Sequence, residues 1–152
     1  MFDIDLSAQT EAVRSVLAGH GIGAALAMLN DRTPYRFTAI YKLTGDVMRA
    51  AHAYDRASEY RSWLKVVPLD KSFCQYAIEQ GEFMTPHASA DRRLTKRPYA
   101  GFVESYYGRL LVREDGTPWG TFIHFDLEPR AVDEREIAFL RDVMPLFSDY
   151  LD

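Results

Sequence analysis

At 152 residues the chain fits one domain, and a domain of that size buries roughly 68–70% of its unfolded surface, enough to need no disulfide or metal staple. Hydrophobic residues make up 47% and charged residues 26%, the balance of an ordinary globular domain. A formal net charge of −4 argues against nucleic acid, which asks for a basic face.

The N-terminus, MFDIDLSAQTEAV, has no basic region and no apolar run, so it is not read as a signal peptide. No stretch reaches the roughly 18 uninterrupted apolar residues of a membrane span. Without export signals the expected location is the cytoplasm. Residues from about 7 to 18 predict a helix with Val13, Val16 and Leu17 on one side. Gly19-His20-Gly21 interrupts it, and a second helix follows from about 22 to 29. Two strands come next, 35–43 and 47–54, joined by Thr44-Gly45-Asp46, where glycine supplies the positive φ of a hairpin turn.

Residues 56–68 are ambiguous, with Tyr60, Trp63 and Leu64 at helical spacing. Ser72 and Gln75 have capping-box spacing and open a helix. It carries Cys74, the one cysteine, so no disulfide forms within the chain and a reducing compartment is expected. Gly81 ends the helix and 83–85 is a short strand. Residues 86–101 read as a long polar loop. Strands 105–113 and 119–127 flank a turn at Glu114-Asp115-Gly116-Thr117-Pro118. Asp133 and Glu136 open a last helix to about 151, kinked or loosened by Pro145. This order predicts an α+β fold: a central antiparallel sheet of five to six strands with helices on both faces. One domain spans 1–152.

Ser72-Phe73-Cys74, Ala90-Asp91, Gly116, and Trp119-Gly120-Thr121-Phe122 running to Asp126 and Pro129-Arg130 resemble, in order and spacing, the pattern of GAF domains. The likeness covers roughly 21–151. It implies a small-molecule sensor module whose ligand sits on one face of the sheet, acting through a signalling partner. Three family activities lose support. The Asn-Lys…Phe…Asp-Glu pattern of cyclic-nucleotide binders is missing, as is the Pro-x-Ser-Asp-Ile-Pro motif of bilin binders. Relatives that reduce free methionine sulfoxide use several cysteines, and one thiol cannot close a disulfide within the chain.

Simple alternation along 119–126 puts Trp119, Thr121, Ile123 and Phe125 toward the terminal helices, and Phe122, His124 and Asp126 on the other side. By the resemblance that second side faces the ligand. His124 is a candidate ligand contact because its charge changes near neutral pH. Tyr106 aligns with a ligand-facing position, offering a ring and a hydroxyl, and Phe102 and Phe122 would complete an aromatic wall. Cys74 would cover the site together with loop 86–101. Its place in the first turn of a helix can activate a thiol, whereas Phe73 beside it suggests an inert, buried one. Asp126 is expected to fix the turn into Pro129, and Arg92, Arg93, Lys96 and Arg97 to form a solvated loop.

The histidines at 20, 52, 87 and 124 show no metal spacing, and no catalytic residue, metal or cofactor is expected. Gly19-His20-Gly21-Ile22-Gly23 follows a helix and is no dinucleotide loop. Ile137, Leu140, Met144, Phe147 and Leu151 make a seam on the last helix, while Phe139, Val143 and Tyr150 add a second apolar side. A homodimer through the terminal helices is expected. The preferred reading is a ligand-binding sensor with no membrane or nucleic-acid partner. Its alternatives are a small redox or hydrolytic enzyme using Cys74 or His124, and a ligand-free interaction module.

Overall fold

The computed structural model describes residues 2–59, 65–94, 102–131 and 133–151, with side chains from residue 7 onward. The first element, α1 (Phe2–Asn30), consists of two helical segments that meet at a kink, as expected. Gly21, at φ 85° and ψ −177°, kinks it where the glycines suggested a break, a conformation that costs glycine little. Within Ser7–Asn30 an 18-residue window reaches a mean hydropathy of 1.4, long and apolar enough to cross a membrane by length and composition. Here Val13, Leu17, Leu26 and Leu29 instead fill the core against the sheet and the last helix.

Six strands form one sheet: β1 (Phe37–Thr44), β2 (Val47–Asp55), β3 (Val66–Pro68), β4 (Glu82–Thr85), β5 (Ser105–Val112) and β6 (Pro118–Asp126), ordered β3-β2-β1-β6-β5-β4. All neighbours are antiparallel. Gly45, at φ 63°, makes the β1–β2 turn as expected. The short edge strand β3 falls inside the ambiguous 56–68 segment, whose helically spaced Tyr60, Trp63 and Leu64 lie outside the described residues. Between β3 and β4 sits α2 (Cys74–Gln80). Its capping box forms by half: the Ser72 hydroxyl accepts the Cys74 amide at 2.8 Å, while the Gln75 side chain turns to Glu79. After β4 the loop makes two 3₁₀ turns, Ala88–Ala90 and Arg92–Leu94.

A β-bulge decides the two faces of the sheet. Leu111 pairs with Gly120 and Val112 with Pro118, leaving Trp119 as the extra residue. Trp119 packs on the helix side, as alternation predicts, but the bulge shifts the phase beyond it. Phe122 joins Trp119 in the helix-side core, while Ile123 and Phe125 belong to the opposite core. Gly120 permits this geometry. A Cβ there would lie 2.9 Å from the Tyr41 carbonyl carbon and closer still to its oxygen.

The last helix, α3 (Glu134–Val143), is capped by Asp133, whose carboxylate accepts the Glu136 amide at 2.8 Å. Pro145 lies in the 3₁₀ stretch Met144–Tyr150 that continues it. Most of both apolar sides is covered within the chain: Ile137, Phe139, Leu140, Val143, Met144 and Phe147 are all buried in the core shared with α1 and the sheet. Tyr150, the last residue of the second side, is left 42% exposed.

Candidate functional site

The sheet divides the candidate residues between two faces. On the side away from α1 and α3, cross-strand pairing aligns Tyr41 with Thr121, Ala39 with Ile123 and Phe37 with Phe125. Tyr106 pairs with Phe125 on the next strand. Over them lie α2, Phe73, Phe83 and the loop residues Ala88, Leu94 and Val103. The floor has one polar knot. The Tyr106 hydroxyl donates to Cys74 Sγ at 3.3 Å and the Thr121 hydroxyl does so at 3.4 Å. Burial lifts the Tyr106 pKa well above its usual value, so the group stays a neutral phenol. Phe73 meets its ring edge-on at 5.6 Å. The ring lies along the sheet over Gly108, where a Cβ would sit 2.6 Å from its carbons. Tyr106 thus fills space that any larger residue at 108 would take.

At the other end of this face, Phe37, Ala39, Tyr41, Ala53, Asp55 and Phe125 line a notch of about 10 Å³. Phe37 and Phe125 stack at 4.6 Å. Arg36 closes the rim, pairing with Asp55 at 2.8 and 3.0 Å and lying 4.6 Å over Phe37. In the loop above, the Arg93 guanidinium covers the Phe83 ring at 4.5 Å and donates to the Met84 carbonyl and to Asp91. That guanidinium, foremost, holds the Asp91 carboxyl at a pKa of about 2. Arg93 is therefore a strut of the loop while its side chain stays 55% exposed, solvated as expected; Lys96 and Arg97 lie outside the described residues.

Phe122 and His124 sit on the opposite face, correcting the expectation that they face a ligand beside Tyr106. The bulge at Trp119 is the cause, and Gly120 within a strand was its visible signal. His124 is wholly buried, stacked on Tyr35 at 5.5 Å with Phe122 edge-on at 4.9 Å. A polar chain ends on it. Arg56 donates to the Asn30 side chain, Asn30 Nδ2 donates to Thr38 Oγ1 at 2.8 Å, and Thr38 lies 2.7 Å from His124 Nδ1. The Thr38 hydroxyl, with two acceptor lone pairs, can take the Asn30 proton and still either donate to Nδ1 or accept from it, so this contact fits both imidazole tautomers. Nε2 has no hydrogen-bond partner among the described residues. Burial, and then the Arg56 charge, push the His124 pKa down to about 3.

Phe102 also departs from the aromatic wall expected of it: it is 65% exposed, in a turn before β5. Asp126 has the structural role expected. Its carboxylate accepts the Arg36 amide at 3.0 Å, the Glu128 amide at 3.2 Å and Arg130 Nε at 3.1 Å. Of the five candidate residues the structure brings together Cys74 and Tyr106; Thr121 joins them, a residue that unshifted alternation assigns to the helices. Cys74 and His124 lie on opposite faces of the sheet, so they form no thiol–imidazole dyad. Among the described residues no three His, Cys, Asp or Glu side chains converge as metal ligands.

No family model matches the sequence, and no curated protein matches it. Solved structures do match its fold. The GAF domain of an Acinetobacter phosphoenolpyruvate-protein phosphotransferase superposes with a TM-score of 0.75 at 11% identity, over 99% of this chain and 92% of that one. The chain has a GAF fold. The chromophore-binding domain of an unusual bacteriophytochrome from R. palustris matches at a TM-score of 0.76 and 10% identity; 99% of this chain is covered, but it spans only 61% of that one. Free methionine-R-sulfoxide reductase from Neisseria meningitidis, solved with its substrate, matches at 0.74 and 14% identity, over 93% of this chain and 85% of that one. GAF folds at such identities share architecture across sensors and enzymes, and architecture alone does not carry a function.

Proposed function

We propose that this GAF-fold chain is a small-molecule-binding regulatory domain whose ligand meets the sheet face bearing Tyr106, Cys74 and Thr121. One observation carries the reading: on this face a thiol and two hydroxyls lie buried within an otherwise apolar, aromatic surface. Binding sites combine such a surface with a few polar groups that orient the ligand. The ligand class favoured is a small, largely apolar or aromatic molecule with one polar end. The notch at Ala39 and Ala53 has room for about one water, so a ligand enters this face by displacing side chains. Bound state is passed to a partner protein or a second copy of the chain, in the cytoplasm, with the terminal helices as the contact surface.

A thermal-shift screen across amino acids, aromatic acids and nucleotides, with native mass spectrometry of the freshly purified protein, tests this. The expected result is stabilisation by at least one class, lost in Tyr106→Ala. No stabilisation by any compound and no copurified mass would defeat the reading. Light scattering at micromolar concentration tests the homodimer, and a monomer would count against it.

A second reading, a ligand-free interaction module, is favoured by the way the Tyr106 ring fills the space over Gly108. Ligand displacement of that ring separates the two readings. An enzyme using Cys74 needs a base beside the thiol, and His124 is across the sheet.

A further inference from the structure

Two elements that the fold keeps apart, α2 over the Cys74 face and α3 on the opposite face, meet at one carboxylate. Glu82 is the first residue of β4 and follows Gly81, whose φ of 87° ends α2. Strand alternation sends Phe83 into the Cys74 core and leaves Glu82 on the helix side. There it accepts the Tyr107 hydroxyl at 2.5 Å, Arg109 Nη1 at 3.1 Å, and Arg141 of α3 through Nη2 at 2.7 Å and Nε at 3.2 Å. The carboxylate is largely enclosed, at 16% exposure, while the Arg141 side chain is 53% exposed. The α2 helix has only seven residues. A helix that short does not hold itself and depends on what its ends are tied to. Its exit is tied twice: the Gly81 carbonyl accepts the Leu110 amide at 2.9 Å, and Glu82 holds the charged cluster.

We propose that Glu82 is a latch joining α2 to α3, so that releasing Arg141 loosens the cover of Cys74, and displacing that cover loosens α3. A charge-assisted bond inside an enclosed site holds firmly, whereas the exposed half of this pair holds weakly. The latch therefore opens without unfolding the sheet. It gives the Cys74 face a mechanical link to a terminal helix through one backbone step and one ion pair. Such a link is reciprocal: what one end does to the other, the other returns in equal measure. That a ligand uses this link rests on the ligand-binding reading above; the latch itself does not.

The test needs no ligand, because Cys74 is the sole cysteine. An aromatic disulfide reagent is added to the intact protein in native buffer, and the rate of Cys74 labelling is followed with increasing urea. Arg141→Ala and Glu82→Gln are expected to label about five- to tenfold faster than the parent, with a shallow urea dependence that marks local opening. Arg14→Ala, which breaks an ion pair on α1, is expected to label at the parent rate. In the reciprocal measurement, protein labelled at Cys74 is expected to exchange the amides of α3 faster around Arg141. An Arg141→Ala rate equal to the parent's overturns the latch, as does a rise that appears only with the steep urea slope of global unfolding. Unchanged exchange in α3 after labelling overturns it too. Failure of the compound screen would remove the ligand and leave these rates where they are.

Discussion

Both faces of the sheet are packed with apolar side chains, and they differ in the polar contacts set among them. The helix face is pinned by directional polar contacts, the Arg56–Asn30–Thr38–His124 chain at one end and the Glu82 cluster at the other. The loop face is held by stacked aromatics around one thiol and two hydroxyls, under a seven-residue helix and two 3₁₀ turns. Satisfied polar networks select one geometry, whereas apolar packing tolerates exchange of one shape for another of similar volume. The contrast separates two roles. The helix face fixes the scaffold, and the loop face is where contents vary.

Mutations that attack the fixed side should cost most. Gly120→Val places carbon against the Tyr41 carbonyl and must part β1 from β6; a loss above about 3 kcal/mol is expected, read as lost soluble yield or an early denaturation midpoint. Acid should find the same side next. The imidazole of His124 titrates near 6.5 in the unfolded chain and at about 3 when folded, so below 6.5 the unfolded state binds a proton that the folded state refuses. Stability is full above pH 6.5 and falls as pH drops toward 3, by something on the order of 4 kcal/mol from this group. Urea melts across that window should lose this slope in His124→Phe; an unchanged profile would mean the buried imidazole does not govern it. On the loop face, Tyr106→Phe removes the hydroxyl bonded to Cys74 and should cost about 1 kcal/mol. A larger loss there would erase the proposed difference between the faces. Arg14→Ala breaks a pair whose side chains are 56% and 66% exposed, and equilibrium denaturation should move by no more than about 0.5 kcal/mol.

Much of this architecture is legible from residue pattern, because its signals are local. The Thr44–Asp46 turn, the Asp133 cap, the glycine-marked kink in α1 and five of the strands follow from turn chemistry and periodicity within a few residues. The candidate site is less legible for a physical reason. Nearly every residue of β6 is buried, so hydropathy does not distinguish its faces, and parity has to be carried along the strand from Trp119. A bulge reverses parity, and only the pairing partner on β5 reveals where it falls. Unbroken alternation therefore sends Thr121 to the wrong side and His124 to the candidate pocket. Strand β3 escapes notice because three residues are too few for a period to show.

The bulge at Trp119 also bears on how this chain can change length. Residues added or removed within the exposed 113–117 turn leave the phase of β6 intact. Loss of Trp119 itself would close the ladder, because Gly120 already faces Leu111 and Pro118 faces Val112; Phe122 and His124 would stay toward α1, and Ile123 and Phe125 toward the thiol. For insertions and deletions, then, the bulge is a second place, beside the tip, where this hairpin can absorb a residue.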